Sequence, residues 1–157
     1  MMKRKLLFLL IGFGLAASAL ATAQQARAAL GESVDSITSD SRTISAVRSA
    51  ATVSADYTVH ELRTDLISVR EYVSPAGIVF GVAWNGPVPP DLTVLLGSYA
   101  EEYRQAQSQT PRQRGRRHIQ VKTSRVVVER WGHMRNLQGR AYAPDLIPQG
   151  VSVDEIK

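Results

Sequence analysis

The 157-residue chain contains no cysteine, and this absence excludes several kinds of site. No disulfide can form, and neither a thiolate nucleophile nor a cysteine-based zinc or haem site is available. A lipid anchor attached through cysteine is excluded as well. A folded domain in this chain must therefore be stabilised by packing of its core.

The common catalytic and metal-binding patterns are absent too. The histidines His60, His118 and His133 are far apart in the sequence and do not show the H-E-x-x-H spacing that places two imidazoles on one helical face. No serine lies in a G-x-S-x-G nucleophile elbow. Glu71 and Glu129 are the acids nearest to apolar runs, and we predict that both face outward from strands. The sequence therefore predicts no metal and no cofactor.

The amino terminus has the three-part layout of a secretory signal peptide. Basic residues at 3–5 precede an apolar run at 6–15, and A-x-A steps that end at Ala23 and Ala28 follow. We predict a signal peptide over residues 1–28, cleaved after Ala28, with cleavage after Ala23 as the alternative. An uncleaved membrane anchor is a further interpretation, since no charge interrupts the chain between position 5 and Ala23.

Removal of residues 1–28 changes the charge balance. The whole chain has 19 Lys plus Arg against 14 Asp plus Glu, a formal net charge of +5. Four of the basic residues lie within 1–28, so 15 basic residues remain against 14 acidic ones, a net charge of +1. A general affinity for polyanions loses most of its support, and nucleic acid is not predicted as a partner.

From Tyr57 onward, β-branched and aromatic residues predict strands. In the third strand, alternation places Ile78, Phe80, Val82 and Trp84 on one face and smaller residues on the other, where a helix could approach closely. We expect a positive φ in the turn at Gly77, before this strand. The six predicted strands cover residues 57–62, 66–73, 78–86, 119–123, 125–131 and 134–143.

An amphipathic helix is predicted over residues 91–105, because apolar residues recur there at helical spacing after three prolines. A weaker pattern over 33–52 predicts one or two short N-terminal helices. The fold class is α+β: an antiparallel sheet of about six strands in two meanders, covered by the 91–105 helix. We predict a helical lead-in over 29–56 and a single domain over 57–157 with a basic polar loop at 104–118.

The stretch RWGHMRNLQGRAY contains the best candidate for a functional surface. Trp131, His133, Arg135 and Arg140 place an aromatic ring, an imidazole and two guanidiniums around one turn, which could bind a carboxylate or a sugar. The alternative is a hairpin whose tryptophan covers the sheet edge, with its turn at Gly132–His133.

A second candidate surface is basic. Arg112, Arg114, Arg116 and Arg117 fall in a stretch with no acid between Glu102 and Glu129. Such a run could contact an anionic polysaccharide, and the alternative is a solvated loop that keeps the protein soluble. No aromatic residue lies among these arginines, which argues against binding of single-stranded nucleic acid.

The chain resembles domain-of-unknown-function family 2844, a family of small exported proteobacterial proteins. The motifs that carry the resemblance lie at Ala29–Gly31, Val69–Pro87, Pro90–Leu92, Gly132–Arg135 and Ile147–Val151. The tail motif departs from the family pattern by having isoleucine in place of leucine at its start. The resemblance favours cleavage after Ala28 and implies no reaction, ligand or catalytic residue.

Two functional hypotheses follow. The first is a periplasmic or secreted, non-catalytic protein that binds an envelope protein or an anionic surface, with no membrane span after cleavage. The alternative is a small envelope hydrolase with a site around His133.

Overall fold

The computed structural model describes residues 30–33, 47–111 and 118–157 of the chain. The strands in this part are β1 (Val47–Val53), β2 (Thr58–Arg63), β3 (Ser68–Val73), β4 (Val79–Gly86), β5 (Ile119–Lys122), β6 (Val127–His133) and β7 (Asn136–Tyr142). They form one antiparallel sheet of seven strands in the order β1-β2-β3-β4-β7-β6-β5. Two meanders thus meet where β4 pairs with β7. The antiparallel sheet in two meanders is confirmed, and it has seven strands where about six are predicted.

The additional strand is β1, which lies in the stretch 33–52 where the sequence predicts a weak helix. β1 pairs with β2 in an antiparallel hairpin, and the Ser54 amide donates to the Tyr57 carbonyl at 2.8 Å in the connecting turn. Pairing with β2 outweighs the weak helical pattern, since this stretch mixes helix-favouring alanine and arginine with serine, threonine and valine of low helix propensity. The helix prediction is wrong for residues 47–52, and residues 34–46 lie outside the described part.

A helical segment follows β4 and consists of α1 (Leu92–Leu96), one 3-10 turn (Gly97–Tyr99) and α2 (Ala100–Gln109). Asp91 caps α1, since its carboxylate accepts a hydrogen bond from the Thr93 amide at 2.8 Å. The predicted helix is therefore confirmed.

α2 continues beyond the predicted helix end at residue 105. Residues 104–109, which the sequence assigns to the basic polar loop, are helical. Arginine, glutamine and alanine are good helix formers, so this polar stretch extends the helix until shortly before Pro111. The predicted loop start at 104 is wrong.

A β-bulge at Phe80 changes the facing of residues along β4. Tyr72 of β3 lies opposite Gly81, and Val73 lies opposite Val79, so Phe80 is an extra residue in the ladder. The glycine turn before β4 behaves as expected, because the residue at position 77 has a φ of 77°.

The bulge separates Phe80 from the residues predicted to share its face. Val82 and Trp84 belong to the core beneath the helical segment, whereas Phe80 packs with Ile156 on the opposite face. The predicted face assignment of Phe80 is wrong. The expectation that a helix covers the small-residue face is also wrong, because a Cβ on Gly81 would lie 2.8 Å from Cδ1 of Ile156. The C-terminal tail occupies that face.

The segment Leu30–Ser33 docks beside β4 and α1. The Leu30 amide donates to the Leu95 carbonyl at 3.0 Å, and the Gly31 amide donates to the Val79 carbonyl at 2.7 Å. The Val79 amide returns a hydrogen bond to the Glu32 carbonyl at 2.9 Å. The segment therefore pairs with the start of β4, and the Leu30 side chain is fully buried in the core on the helix-covered side.

Glu102 of α2 links the helix to the β5–β6 turn through hydrogen bonds and an ion pair. Its carboxylate accepts hydrogen bonds from Arg125 Nε at 2.8 Å and from Ser124 Oγ at 3.2 Å. A hydrogen bond from Thr123, together with those from Arg125 and Ser124, lowers the pKa of Glu102 from 4.5 to about 2.

We expect this lowered pKa to make stability depend on acid. Because the folded-state pKa lies below the unfolded value, the contribution of Glu102 is present above pH 4.5 and is lost as the pH falls toward about 2. Since the side chain is partly exposed, the contribution is about 1 kcal/mol or less. As the pH falls from 6 to 2, the free energy of unfolding measured in urea should decrease less for Glu102→Gln than for the unaltered protein. Glu101→Gln, in an exposed pair with Arg104, is the control; equal losses in both variants would contradict the expectation.

Candidate functional site

The β6–β7 hairpin carries the residues predicted as a binding surface. His133 pairs with Asn136, so Met134 and Arg135 form the two-residue turn. The turn predicted at Gly132–His133 is therefore two residues too early. Arg135 has a φ of 82°, and Met134 is 88% exposed. The tip of this hairpin projects into solvent.

The structure brings together Trp131 and Arg140. The guanidinium carbon of Arg140 lies 5.9 Å from the Trp131 ring centroid, and the Trp131 indole N–H donates to Gln138 Oε1 at 3.0 Å. His118 stacks on the same indole with 6.2 Å between ring centroids. Since β5 and β7 flank β6 on opposite sides, His118 and Arg140 approach Trp131 from opposite sides. The Trp131 ring is therefore in contact with neighbouring side chains on both sides, which leaves little of its face available for stacking against a sugar.

The Arg140 side chain forms hydrogen bonds both within the sheet and to the C-terminal tail. Its Nε donates to a carboxylate oxygen of Glu129, and its Nη1 donates to the Val153 carbonyl at 2.7 Å. Gln120 Nε2 donates to the other oxygen of Glu129 at 2.7 Å. The side chains of Arg140 and Glu129 are only 17% and 9% exposed. The prediction that Glu129 is an outward-facing solvated acid is wrong, because the tail covers this part of the sheet.

His133 and Arg135 stay apart from that pair. Both are exposed, and His133 Nδ1 lies 3.0 Å from the Met134 carbonyl within the turn. No ion pair in the described part joins His133 to a carboxylate. The four basic-loop residues Arg112, Arg114, Arg116 and Arg117 lie outside the described part.

Glu71 faces inward, contrary to the prediction. Its position between Val69 and Val73 on β3 places it on the helix-covered face, and it is fully buried. Its cross-strand neighbour is His60 of β2, which is also buried. Within the described ranges, no group of three or more His, Cys, Asp or Glu residues is arranged to hold a metal ion.

A cleft of about 280 Å³ lies between the proline segment, α2 and β6. Its polar lining includes Arg130, Gln107 and the hydroxyl-bearing Tyr103, and its apolar lining includes Leu92 and Ala100. Pro89, Pro90, Asp91, Thr93 and Arg104 complete the wall. The cleft combines apolar walls with a few polar groups, as is typical of small-molecule sites.

Strand alternation positions Arg130 in this cleft. Val126 and Val128 belong to the core beneath the helical segment, so Arg130 lies on the same side of β6. The facing residue on β7 is Gly139, and a Cβ there would lie 2.3 Å from Cζ2 of Trp84. The glycine makes room for that indole beside Arg130, and Trp84 forms part of the core next to the cleft.

The charge of Arg130 is not neutralised within the described part of the chain. The arginine is half-buried, and no carboxylate there lies within 4.0 Å of its guanidinium. The other charged groups of the cleft are engaged: Asp91 caps α1, and Arg104 pairs with Glu101 at 2.8 Å. Among the described residues that line this cleft, Arg130 is thus the cation without a carboxylate partner, and it is available to a ligand.

Tyr103 adds a hydroxyl to the same cleft. Burial raises the pKa of Tyr103 above 10.0, although the nearby charge of Arg130 opposes this effect. The hydroxyl is therefore protonated at neutral pH. It accepts a hydrogen bond from Gln107 Nε2 at 3.0 Å, which leaves its proton available for donation.

Sequence reasoning missed Arg130 as a functional candidate, although a signal for it exists. In RVVVERW, alternation places Val126, Val128 and Arg130 on one face, and the arginine occupies a position where the pattern predicts an apolar residue. A charged residue at a core-facing position indicates a site or a buried pair. The prediction treated the whole run as a plain strand.

A second, more open groove of about 490 Å³ lies at the β2–β3 turn. Its lining is polar, and its acid Glu61 already accepts hydrogen bonds from Ser68 at 2.9 Å and from Arg63 at 3.0 Å. Burial opposes ionisation of Glu61, but these hydrogen bonds outweigh it and lower its pKa. Leu66 and Ile67 are the apolar side chains in the lining of this groove, which is otherwise polar, so the Arg130 cleft is the better candidate site.

Comparisons with known proteins complete the description. None of the helices in the described ranges has the length and apolar character needed to cross a bilayer. Searches of curated proteins and of solved structures gave no significant match. The sequence profile of a family described as "Protein of unknown function (DUF2844)" matches residues 26–156, which confirms the resemblance seen in the motifs. The chain belongs to this family.

Proposed function

We propose that this protein is exported and binds, without catalysis, a carboxylate group of an envelope partner in the cleft at Arg130. Export is supported by the basic start, apolar run and A-x-A steps of residues 1–28. The mature protein would be periplasmic or secreted. A binding role suits a cleft whose available cation is Arg130 and in which, among the described residues, no group of three or more His, Cys, Asp or Glu residues is arranged to hold a metal ion.

The observation that carries the proposal is the half-buried, un-neutralised guanidinium of Arg130. Partial burial removes water from a charged group, which is unfavourable unless a partner supplies hydrogen bonds. A carboxylate supplies two acceptors in the planar geometry that arginine prefers, and such charge-assisted hydrogen bonds are stronger than neutral ones. Tyr103 can donate a further hydrogen bond to the same anion, as it remains protonated.

The dimensions of the cleft favour a small group rather than a long polymer. Its volume of about 280 Å³ is just below the range of roughly 300–1,000 Å³ typical of small-molecule pockets. Leu92 and Ala100 provide apolar contact for the body of such a ligand. A carboxylate attached to a compact apolar body, such as the carboxyl terminus of a partner peptide, fits this lining.

Two other functions from the sequence are less well supported. The basic residues Arg112, Arg114, Arg116 and Arg117 could still contact an anionic polysaccharide, independently of the cleft. A hydrolase site around His133 would need a carboxylate to orient the imidazole, and this histidine is exposed at the hairpin tip without one in the described part.

The test is a titration of the 29–157 chain with benzoate, followed by NMR of the Tyr103 and Gln107 amides and the Arg130 Nε group. Benzamide, which has the same shape and no charge, is the ligand control. We expect saturable shifts with benzoate only. Arg130→Gln should weaken benzoate binding at least about tenfold, as expected for the loss of a hydrogen bond to a charged group worth about 1.5–3 kcal/mol.

Arg104→Gln is the matched protein control, since Arg104 lines the same cleft but already pairs with Glu101. It should leave benzoate binding nearly unchanged. Equal binding of benzoate and benzamide, or an unaltered affinity in Arg130→Gln, would contradict the proposal. Retention on heparin that depends on the four loop arginines and not on Arg130 would instead favour an anionic polysaccharide as partner.

A further inference from the structure

The segment Leu30–Ser33 is held on several sides. Leu30 has an exposed fraction of 0% and packs in the core with Leu95, to whose carbonyl its amide donates at 3.0 Å. Gly31 has a φ of 85°, and a Cβ there would lie 2.8 Å from Cε2 of Tyr99. Ser33 forms a bridge with Ile78. This short segment is therefore an integral part of the folded domain.

The same segment lies directly after the predicted cleavage position. The Ala28–Ala29 peptide bond precedes the buried Leu30 by one residue. Hydrolysis of that bond consumes one water and leaves a carboxylate on Ala28 and an amino group on Ala29. An endopeptidase binds its substrate in an extended form that includes residues on both sides of the bond, so it needs a segment that is not already hydrogen-bonded to the fold.

We propose that, during export, removal of the signal peptide precedes the docking of Leu30–Ser33, so that the exported chain completes its fold after processing. This inference rests on the proposed export. During export the peptidase then acts on a chain in which the slot between α1 and β4 still lacks Leu30 and the core beside Leu95 and Val79 is incomplete. A precursor that refolds before it meets the peptidase docks the segment and becomes a poor substrate. After cleavage, the new amino-terminal segment inserts, and its backbone forms the hydrogen bonds to Leu95 and Val79.

The test compares two orders of addition for the full precursor, residues 1–157, in detergent micelles. In the first, precursor diluted out of urea meets a bacterial signal peptidase at once. In the second, the precursor refolds before the peptidase is added. We expect cleavage in the second order to be at least about tenfold slower, because the rate then follows the small population in which the segment is undocked.

Leu30→Ser should bring the cleavage rate of the refolded precursor close to the rate in the first order, since it weakens docking. Leu66→Ser, the same change at a leucine that is 55% exposed, should leave the slow rate unaltered. Hydrogen exchange of the 29–157 chain gives a readout that does not depend on the variants: the Leu30 and Gly31 amides should be protected as strongly as core amides.

The failures of the inference and of the proposed export are distinguishable. Equal cleavage rates in the two orders, or unprotected Leu30 and Gly31 amides, would overturn the proposed sequence of events while leaving export intact. Absence of cleavage in both orders would overturn the predicted signal peptide, and with it both proposals. Mass spectrometry of the product identifies the cleaved bond; a product that begins after Ala23 would overturn the inference, since the buried segment would then lie farther from the bond.

Discussion

Arg140→Met is expected to lower the free energy of unfolding by about 3–5 kcal/mol, the usual cost of removing one partner of a buried ion pair. The substitution leaves the carboxylate of Glu129, only 9% exposed, without its cation. It also removes the donor to the Val153 carbonyl, at 2.7 Å, that fixes the tail to the sheet. Urea unfolding monitored by tryptophan fluorescence measures the loss, since Trp131 lies beside Arg140.

Two further variants make this result specific to the buried pair. Arg63→Met removes the cation of a pair with Glu61 in which the arginine is 62% exposed, and it should cost about 1 kcal/mol or less. The double variant Glu129→Leu/Arg140→Met should be more stable than Arg140→Met alone, because no buried charge is left behind. A loss for Arg140→Met no larger than that for Arg63→Met would show that the pair is solvated in solution.

Phe80→Ala is expected to cost about 3–5 kcal/mol, the range for removal of a large aromatic side chain from a packed core. Phe80 is fully buried, and its ring centroid lies 6.1 Å from that of Tyr57 and 6.2 Å from that of Tyr72. Its loss would leave a cavity beneath Ile156. Thermal and urea unfolding of the variant measure the effect.

Met134→Ala is the control for this variant, because Met134 is 88% exposed and its truncation should change stability by less than about 0.5 kcal/mol. Asn85→Ala, at the exposed end of β4, should cost equally little. If Phe80→Ala were no more destabilising than these two changes, the tail-side cluster would not be a packed core in solution.

Much of the sheet could be predicted from the sequence because its strands follow simple local rules. Residues 66–73 and 125–131 alternate or are rich in valine, and prolines end β4 before the helix cap at Asp91. β1 could not be predicted in this way. Its pairing with β2 is a tertiary interaction, and its own composition favours neither strand nor helix strongly.

The facing of β4 illustrates a different limit. Alternation assumes that every residue has one partner across the ladder, and the bulge at Phe80 breaks that assumption. A single extra residue moved Phe80 to the tail side. The burial of Glu71 and Glu129 was missed for a related reason, since solvation was assumed from residue type, whereas the tail and the helical segment determine it.

The candidate site was only partly accessible to sequence reasoning. The sequence places Trp131, His133, Arg135 and Arg140 around one turn, and the structure brings only Trp131 and Arg140 close together. The contacts of these two with Glu129, Gln138 and His118 could not be predicted, because they depend on pairing between strands. Arg130 required knowledge of which face the helical segment covers. The alternation that places Val126, Val128 and Arg130 on one face is visible in the sequence. The cleft next to Arg130, however, is formed by the proline segment and the helical segment, which are remote from β6 along the chain.

The antiparallel pairing of β4 with β7 also has a consequence for the rate of folding. Each meander is built from neighbouring hairpins, whose short loops close rapidly, whereas Gly81 meets Tyr142 only after the whole intervening chain has been brought round. We expect this seam to form in the rate-limiting step and the hairpins to form earlier. Kinetic φ-values for substitutions along β7 would measure how far the β4–β7 pairing is formed in the transition state. Values near zero along the whole of β7 would contradict the expectation, because the two meanders would then dock only after the folding transition state.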